Sequence, residues 1–313
     1  MERSRFMVGL FASFLLASGV GCSRKPADAA RVPAVEAEPG VLRIAFVPQV
    51  DMEERYAAAY RALEIYLGAA LGIKVEVSQL ESVNVALEGL RGRKLDLCNF
   101  SPWPFLIAEQ KIGMQALLMT GTADGSPVSY RTVLVARPSL GLRSVEDLKA
   151  RAGEIVFSFE EPVSTSGHLV PRSFFHEIGL DAERAFEQTL FSPDSTVSLL
   201  AVRAGRLDVA AVSRNSLDRA IEKRRIGRDE VSVIWTSSPV LANVVAIRRA
   251  LPDGFKTRVR DAMVQMAVAS PEQWAVVARQ YSQPVACYLP ADDRLLERFR
   301  TAIRNVPGLR ISL

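Results

Sequence analysis

From residue 42 onward, short apolar runs alternate with longer amphipathic ones. Residues 42–47 (LRIAFV) read as a buried strand, 53–71 as a helix, 74–77 as a strand and 83–90 as a helix, because brief apolar runs suit strands and a 3.6-residue period suits helices. Residues 95–99 (LDLCN) form the next predicted strand, 104–112 the next helix and 116–120 a further strand. The turn Ala123–Asp124–Gly125–Ser126–Pro127 interrupts the rhythm, and a β-branched strand follows at 130–136 (YRTVLVA). Ser144 with Asp147 three residues later resembles a capping box and starts a short helix. A second set then repeats the alternation: strands at 154–157, 188–191, 207–212 and 232–236, with helices after Gly167 and at 196–203 and 216–223. Residues 243–247 read as one more strand, and the remainder as helices at 255–269, 271–280 and 292–304. The pattern predicts an α/β protein with parallel sheets covered on both faces.

Composition narrows this picture. With 313 residues, 49% of them hydrophobic and 24% charged, the chain can bury one large core or two medium ones. Its formal charge is +4, with basic and acidic residues interspersed, and there is no Lys/Arg stripe interleaved with aromatics of the kind that binds nucleic acid.

The first 22 residues, MERSRFMVGLFASFLLASGVGC, begin with arginines and carry an apolar run over 6–16. A spanning helix needs about 20 apolar residues, so residues 1–21 read as an export signal that is removed. Gly19-Val20-Gly21-Cys22 resembles a bacterial lipobox, with Gly19 where leucine is common. The expectation is an extracytoplasmic lipoprotein anchored to the membrane through Cys22; the alternative is an ordinary exported protein whose Cys22 is cut away or left free. Residues 22–40, rich in Ala and Pro, read as a flexible tether. Two cysteines remain, Cys98 and Cys287, too few for a disulfide scaffold.

The candidate chemistry lies in residues 161–175, EPVSTSGHLVPRSFF. A helix start presents about four unpaired N–H groups and a partial positive charge. A run of small hydroxyl residues leaves room for an anion to approach them, so Ser164, Thr165, Ser166 and Gly167 suit an oxyanion seat. Capping alone would need one such residue. A nucleophilic serine fits poorly: there is no Gly-x-Ser-x-Gly elbow, and the only histidines, His168 and His176, do not make a convincing base. No Walker loop, HExxH or CxxC pair occurs, so no enzyme activity, metal or cofactor is expected.

The stretch STSGHLVPR resembles the STSG-x-LVP signature of the phosphonate/phosphite/phosphate family of periplasmic binding proteins, the substrate-binding components of ABC importers. Supporting pieces lie in the same order: Gly89 followed by LRGRKLD, ADGSP followed by Tyr130, SVEDLKAR at 144–151 and LLAVRAGRLDVAA at 199–211. The resemblance covers roughly residues 42–250 and implies a two-lobed type II binding fold. One lobe would comprise residues 41–127 and 241–313, the other 128–240, with two connections as the hinge and the ligand between lobes at the carboxyl ends of strands. It also implies that Ser164, Thr165, Ser166 and the amides of 166–168, including that of His168, hold a small oxyanion. The protein would act as a monomer that delivers the ligand to an ABC permease.

Departures bear on the ligand. Where family members commonly carry a tyrosine and an aromatic hydroxyl, this chain has Val83 and Phe100; where they tend to place a histidine, it has Ser195. An unmatched buried polar group on a ligand costs roughly 1–3 kcal/mol, so the specificity is expected to differ. The facing wall, LDLCNFSPW, offers Cys98, Asn99, Phe100, Ser101 and Trp103, with Pro102 and Pro104 stiffening the loop. Cys98 is either a small buried hydrophobe or a thiol in the cleft. The second case suits the branch of the superfamily that serves as arsenite-binding partner of a sensor kinase, since thiolate is a soft ligand. Tyr130, after the first connection, is placed to reach the cleft. Asp194 and Asp208 can accept from a protonated oxyanion or act as caps, and Arg131 and Arg214 read as surface or hinge charges.

Overall fold

The computed structural model describes residues 35–47 and 53–309, with the side chains of 53–55 left aside. The export signal and lipidated Cys22 expected from the sequence lie outside the described residues, as does most of the tether. The tether's last residues are docked: the Glu36 amide donates to Ala250 (2.8 Å), Glu36 pairs with Arg93 (3.1 Å) and Arg248, and Glu38 pairs with Arg258 (2.6 Å). The packed body therefore begins at Glu36 rather than at residue 41.

In chain order the first elements are β1 Val41–Phe46, α1 Glu53–Leu71, β2 Lys74–Gln79, α2 Val83–Arg91, β3 Leu97–Phe100, α3 Pro102–Lys111 and β4 Met114–Gly121. A crossing strand, β5 Ser129–Tyr130, leads to β6 Thr132–Ala136, α4 Val145–Ala150 and β7 Val156–Glu160. A wide, π-helical turn at Thr165–Leu169 runs into α5 Val170–Glu177. Next come α6 Ala182–Ala185, β8 Gln188–Ser192, α7 Ser195–Arg203, β9 Val209–Ser213, α8 Arg214–Glu222 and β10 Ser232–Thr236. A second crossing strand, β11 Val240–Leu241, leads back to β12 Val244–Arg248, α9 Asp253–Ala269, α10 Pro271–Ala278, β13 Cys287–Pro290 and α11 Arg294–Asn305.

Two sheets result. One has the order β13-β4-β12-β3-β1-β2, the other β10-β6-β9-β7-β8, and β5 pairs with β11 where the chain passes between them. Side chains alternate across each sheet: Leu42, Ile44 and Phe46 enter one core while Ala45 enters the opposite one, and Val133 and Val135 face away from Leu134 and Ala136. Both faces of both sheets are buried, which explains why these strands read as nearly continuous apolar runs.

The sheets are mixed rather than parallel. β1 pairs in parallel with β2 and β3, and β7 with β8 and β9, whereas β12 and β6 run antiparallel to their neighbours. These two reversed strands are the ones the chain enters directly after crossing between lobes. Each starts at the cleft, where β1, β3, β7 and β9 end. Strand β13, antiparallel to β4 at the sheet edge, falls between the helices expected at 271–280 and 292–304, where no element was expected, because four residues ending in proline carry little pattern.

Each sheet is clamped at the end remote from the cleft by an aspartate that precedes its central strand. The Asp96 amide donates to Arg43 O (2.9 Å), and its carboxylate accepts from Arg43 N (2.9 Å) and twice from Arg248 (2.8 and 3.0 Å). The Asp208 amide donates to Val156 O (3.0 Å), and its carboxylate accepts from Val156 N (2.9 Å) and from Arg137 (2.5 Å). The sequences RKLD and GRLD thus do the same work in both lobes, and Asp208 is a strand clamp rather than a ligand acceptor.

Candidate functional site

The carboxyl ends of β1, β3, β7 and β9 face a cavity of about 350 Å³ between the two sheets. From the first lobe come Phe46, Val83, Asn99, Phe100 and Ser101, and from the returning chain Asn243 and the segment Gln280–Tyr281–Ser282–Gln283. From the second lobe come Glu160, Ser164, Thr165, Ser166, Asp194, Ser195 and Ser213, with Arg219 of α8 and Lys223 directly after it.

The hydroxyl run is built around a carboxyl group. Glu160, the last residue of β7, is 6% exposed; it accepts from Ser164 (2.6 Å) and, on its other oxygen, from Ser195. Ser164 in turn caps the turn by accepting from Gly167 N (3.0 Å), and Ser195 accepts from Ser213 N (3.2 Å). Burial, above all, holds the Glu160 pKa above the ordinary carboxylate range, against the pull of the two serines. Gly167 is required here: a Cβ on it would lie 2.2 Å from Glu160 Cγ. Its place is thus beneath the seat, against the glutamate, and it is absent from the cavity lining.

Thr165 links the lobes. Its hydroxyl accepts from Trp103 N (2.9 Å) and donates to Ser101 (2.8 Å), while the Trp103 indole donates to Pro162 O (2.6 Å). Pro102 and Pro104 stand in the first turn of α3, two residues earlier than the sequence suggests, where a missing N–H costs nothing. Ser166 is hydrogen-bonded to Tyr130 of the crossing strand β5, and burial raises the Tyr130 phenol well above its usual range. Asn99 donates to Asn243 (3.3 Å), which reaches Thr120 (3.4 Å).

Three of the expected ligand contacts, and the expected wall residue Trp103, do not reach the cavity. Cys98 is fully buried on the opposite face of β3, in the core with Ala45, Leu87, Phe105 and Ala246, and burial raises its thiol pKa far above the usual value. Depth along the strand decides this: Phe100, two residues nearer the strand end and on the same face as Cys98, lines the cavity, as Asn99 does from the other face, while Cys98 stays in the core; the reading of Cys98 as an arsenic ligand falls with it. Both Cys98 and Cys287 are free thiols. His168 is buried away from the cavity, where its Nε2 accepts from Arg172 (2.6 Å). Burial, with the adjacent guanidinium, lowers it to about 4, so it stays neutral. Gly167 is the third, for the reason given above. Asp194 does line the cavity, but its carboxylate is spent on capping α7 at Val197 N (2.9 Å). Arg131 ties β5 to Ser237 O (2.5 Å), and Arg214 is paired on the surface with Asp218 (2.8 Å).

Sequence reasoning missed Glu160 and the 280–283 segment. An acidic residue ending an otherwise apolar strand (VFSFE) at the cleft side was one available signal, and Ser282-Gln283-Pro284 was a turn signal directly after the helix expected at 271–280.

A cleft at the carboxyl ends of two clamped sheets, joined by a pair of crossing strands, defines a two-lobed binding protein of the type II periplasmic class. The solved structure of a phosphonate transporter binding component from Pseudomonas aeruginosa shares this fold, with TM-score 0.68 and 24% identity over 84% of this chain and 85% of that one. Residues 44–296 match the family model described as "ABC transporter, phosphonate, periplasmic substrate-binding protein", and the chain belongs to that family. It is 27% identical over 209 residues to the phosphonates-binding periplasmic protein of Escherichia coli, covering 67% of this chain and 61% of that protein. It is 26% identical over 249 residues to the phosphate-import protein of Mycolicibacterium smegmatis, covering 76% and 74% respectively.

Proposed function

We propose that this protein captures a small phosphorus oxyanion of the phosphonate, phosphite or phosphate class between its lobes and presents it to the permease of an ABC importer. The observation that carries the reading is the hydroxyl-rich turn Ser164–Ser166, which opens onto an interlobe cavity with Arg219 and Lys223 on its lining. Family membership and the names of the two curated relatives support the same ligand class. Binding needs no covalent step: closure excludes water, and each donor then acts in a lower dielectric. The protein works outside the cytoplasm as a monomer, held at the membrane by a lipid on Cys22.

Thermal unfolding of the mature protein with phosphite, phosphate, methylphosphonate and 2-aminoethylphosphonate tests this. A ligand that binds only the native state stabilises it by mass action, by about 2.7 kcal/mol at a hundredfold excess over Kd, and so raises Tm. At least one of the four is expected to stabilise the protein. No shift with any of them overturns the proposal. Mass spectrometry of the membrane-extracted protein, with and without Cys22→Ser, tests the anchor.

A further inference from the structure

An oxyanion seat with a buried carboxyl group at its centre poses a problem of charge. Ser164 and Ser195 each have one hydroxyl hydrogen, and in the ionised form of the site both are given to Glu160. Each serine oxygen already accepts a backbone N–H, from Gly167 and from Ser213. Toward the cavity the two serines then show only lone pairs, beside a negative carboxylate, which repels an anion. A single proton on Glu160 changes both features. The charge disappears, and the carboxyl donates to one serine, which releases that serine's hydrogen toward the cavity.

We infer that Glu160 is a proton-coupled specificity residue: an oxyanion binds to the seat together with one proton from solvent, which resides on the Glu160 carboxyl in the complex. This rests on the oxyanion reading of the site and says how that site chooses its ligand's charge. The surroundings agree. Burial already favours the neutral acid, and Asp194 at the start of α7 and Glu161 on the same turn push the same way. Tyr130 on β5 faces the group as a neutral phenol, with Arg298 of α11 acting on that phenol. The cations that line the cavity, Arg219, Lys223 and Arg225, lie on or just beyond α8. Gly167 keeps the glutamate in place, because any larger residue would occupy the space of its Cγ.

The test is calorimetric titration of the mature protein with methylphosphonate at several pH values, in buffers of different ionisation enthalpy, for the wild type and Glu160→Gln. The ligand's own ionisation is common to both proteins, so the difference between them isolates Glu160. The wild type is expected to take up about one more proton than Glu160→Gln, and its affinity to fall more steeply, by up to about tenfold more per pH unit above the free carboxyl's pKa. Ser195→Ala removes a bond to the ionised form and is expected to move that fall to higher pH, which keeps the inference testable should Glu160→Gln not fold. Equal proton uptake in the two proteins overturns it. So does a selective loss of 2-aminoethylphosphonate binding in Glu160→Gln, since that outcome means an ionised carboxylate holding an ammonium group. Failure of every oxyanion to bind the wild type at any pH overturns the proposed function and this inference with it; binding with no difference between the proteins overturns this inference alone.

Discussion

The two lobes share a scaffold and differ in their cleft faces. At the remote end of each sheet an aspartate ties a parallel strand to an antiparallel one through an arginine, with the same backbone pairing in both. At the cleft end the equivalence stops. The first lobe's strand ends and helix starts offer Phe46, Val83 and Phe100, with Asn99 and Ser101 as their polar groups. The second offers Glu160, five serines and Thr165. The difference teaches that stability elements are repeated, because each sheet must be held in the same way, whereas ligand chemistry is concentrated in one lobe. The other lobe closes over it with a largely apolar wall and borrows Gln280–Gln283 from the returning chain.

Breaking the clamps separates the two halves of this comparison. Asp96→Ala leaves Arg248, 14% exposed at its side chain, with Glu36 as its remaining carboxylate and takes the acceptor from the Arg43 amide, and is expected to cost about 3 kcal/mol in urea unfolding. Asp208→Ala leaves Arg137, 36% exposed, which water can solvate, so about 1–3 kcal/mol is expected. Equal costs would mean that burial of the arginine does not set the difference. Gly167→Ala drives a methyl group into Glu160 and is expected to cost about 1–3 kcal/mol and to lose oxyanion binding, read by thermal unfolding and calorimetry. Unchanged binding would remove Glu160 from the site.

Thr165→Val removes the acceptor of the Trp103 amide and is expected to weaken the contact between lobes by roughly 1–3 kcal/mol, seen as a larger radius of gyration in X-ray scattering. A scattering profile identical to wild type would deny Thr165 that role. His168 gives a pH effect confined to the second lobe. Its folded pKa is depressed from 6.5 to about 4, so as pH falls the unfolded chain takes the proton first. Stability is expected to decline between those values by up to about 1.4 kcal/mol per pH unit, and His168→Gln to flatten that decline. The smallest effect is expected from Cys98→Ala: about 1 kcal/mol of stability and no change in ligand affinity. A change in affinity would return the thiol to the site.

Much of the fold was legible along the chain. Buried strands flanked by amphipathic helices produce strong local periodicity, and caps such as Ser144 with Asp147 mark helix starts directly. Strand direction was not legible, since β6 and β12 look like the other apolar strands and are reversed only because the chain enters them from the cleft. The seat was visible as STSG, a run of small donors at a helix start. The use of each donor was hidden, because a hydroxyl has one hydrogen and its partner is chosen in space. Thr165 is spent across the cleft on Ser101 and Trp103, and Ser164 on Glu160.

By itself the amino-acid sequence determined the α/β alternation and the hydroxyl-rich turn, both properties of residue order and local spacing; that Val83 and Phe100 stand where hydroxyl-bearing residues are common came from the family resemblance. Only the tertiary structure decided which neighbour in LCNF faces the ligand, that Gly167 makes room for Glu160, and that a carboxyl group lies at the centre of an anion seat. The physical reason is that burial, strand alternation and the partners of a hydroxyl depend on elements distant in the chain. Ser195 meets Glu160 across 35 positions, and Trp103 meets Thr165 across 62.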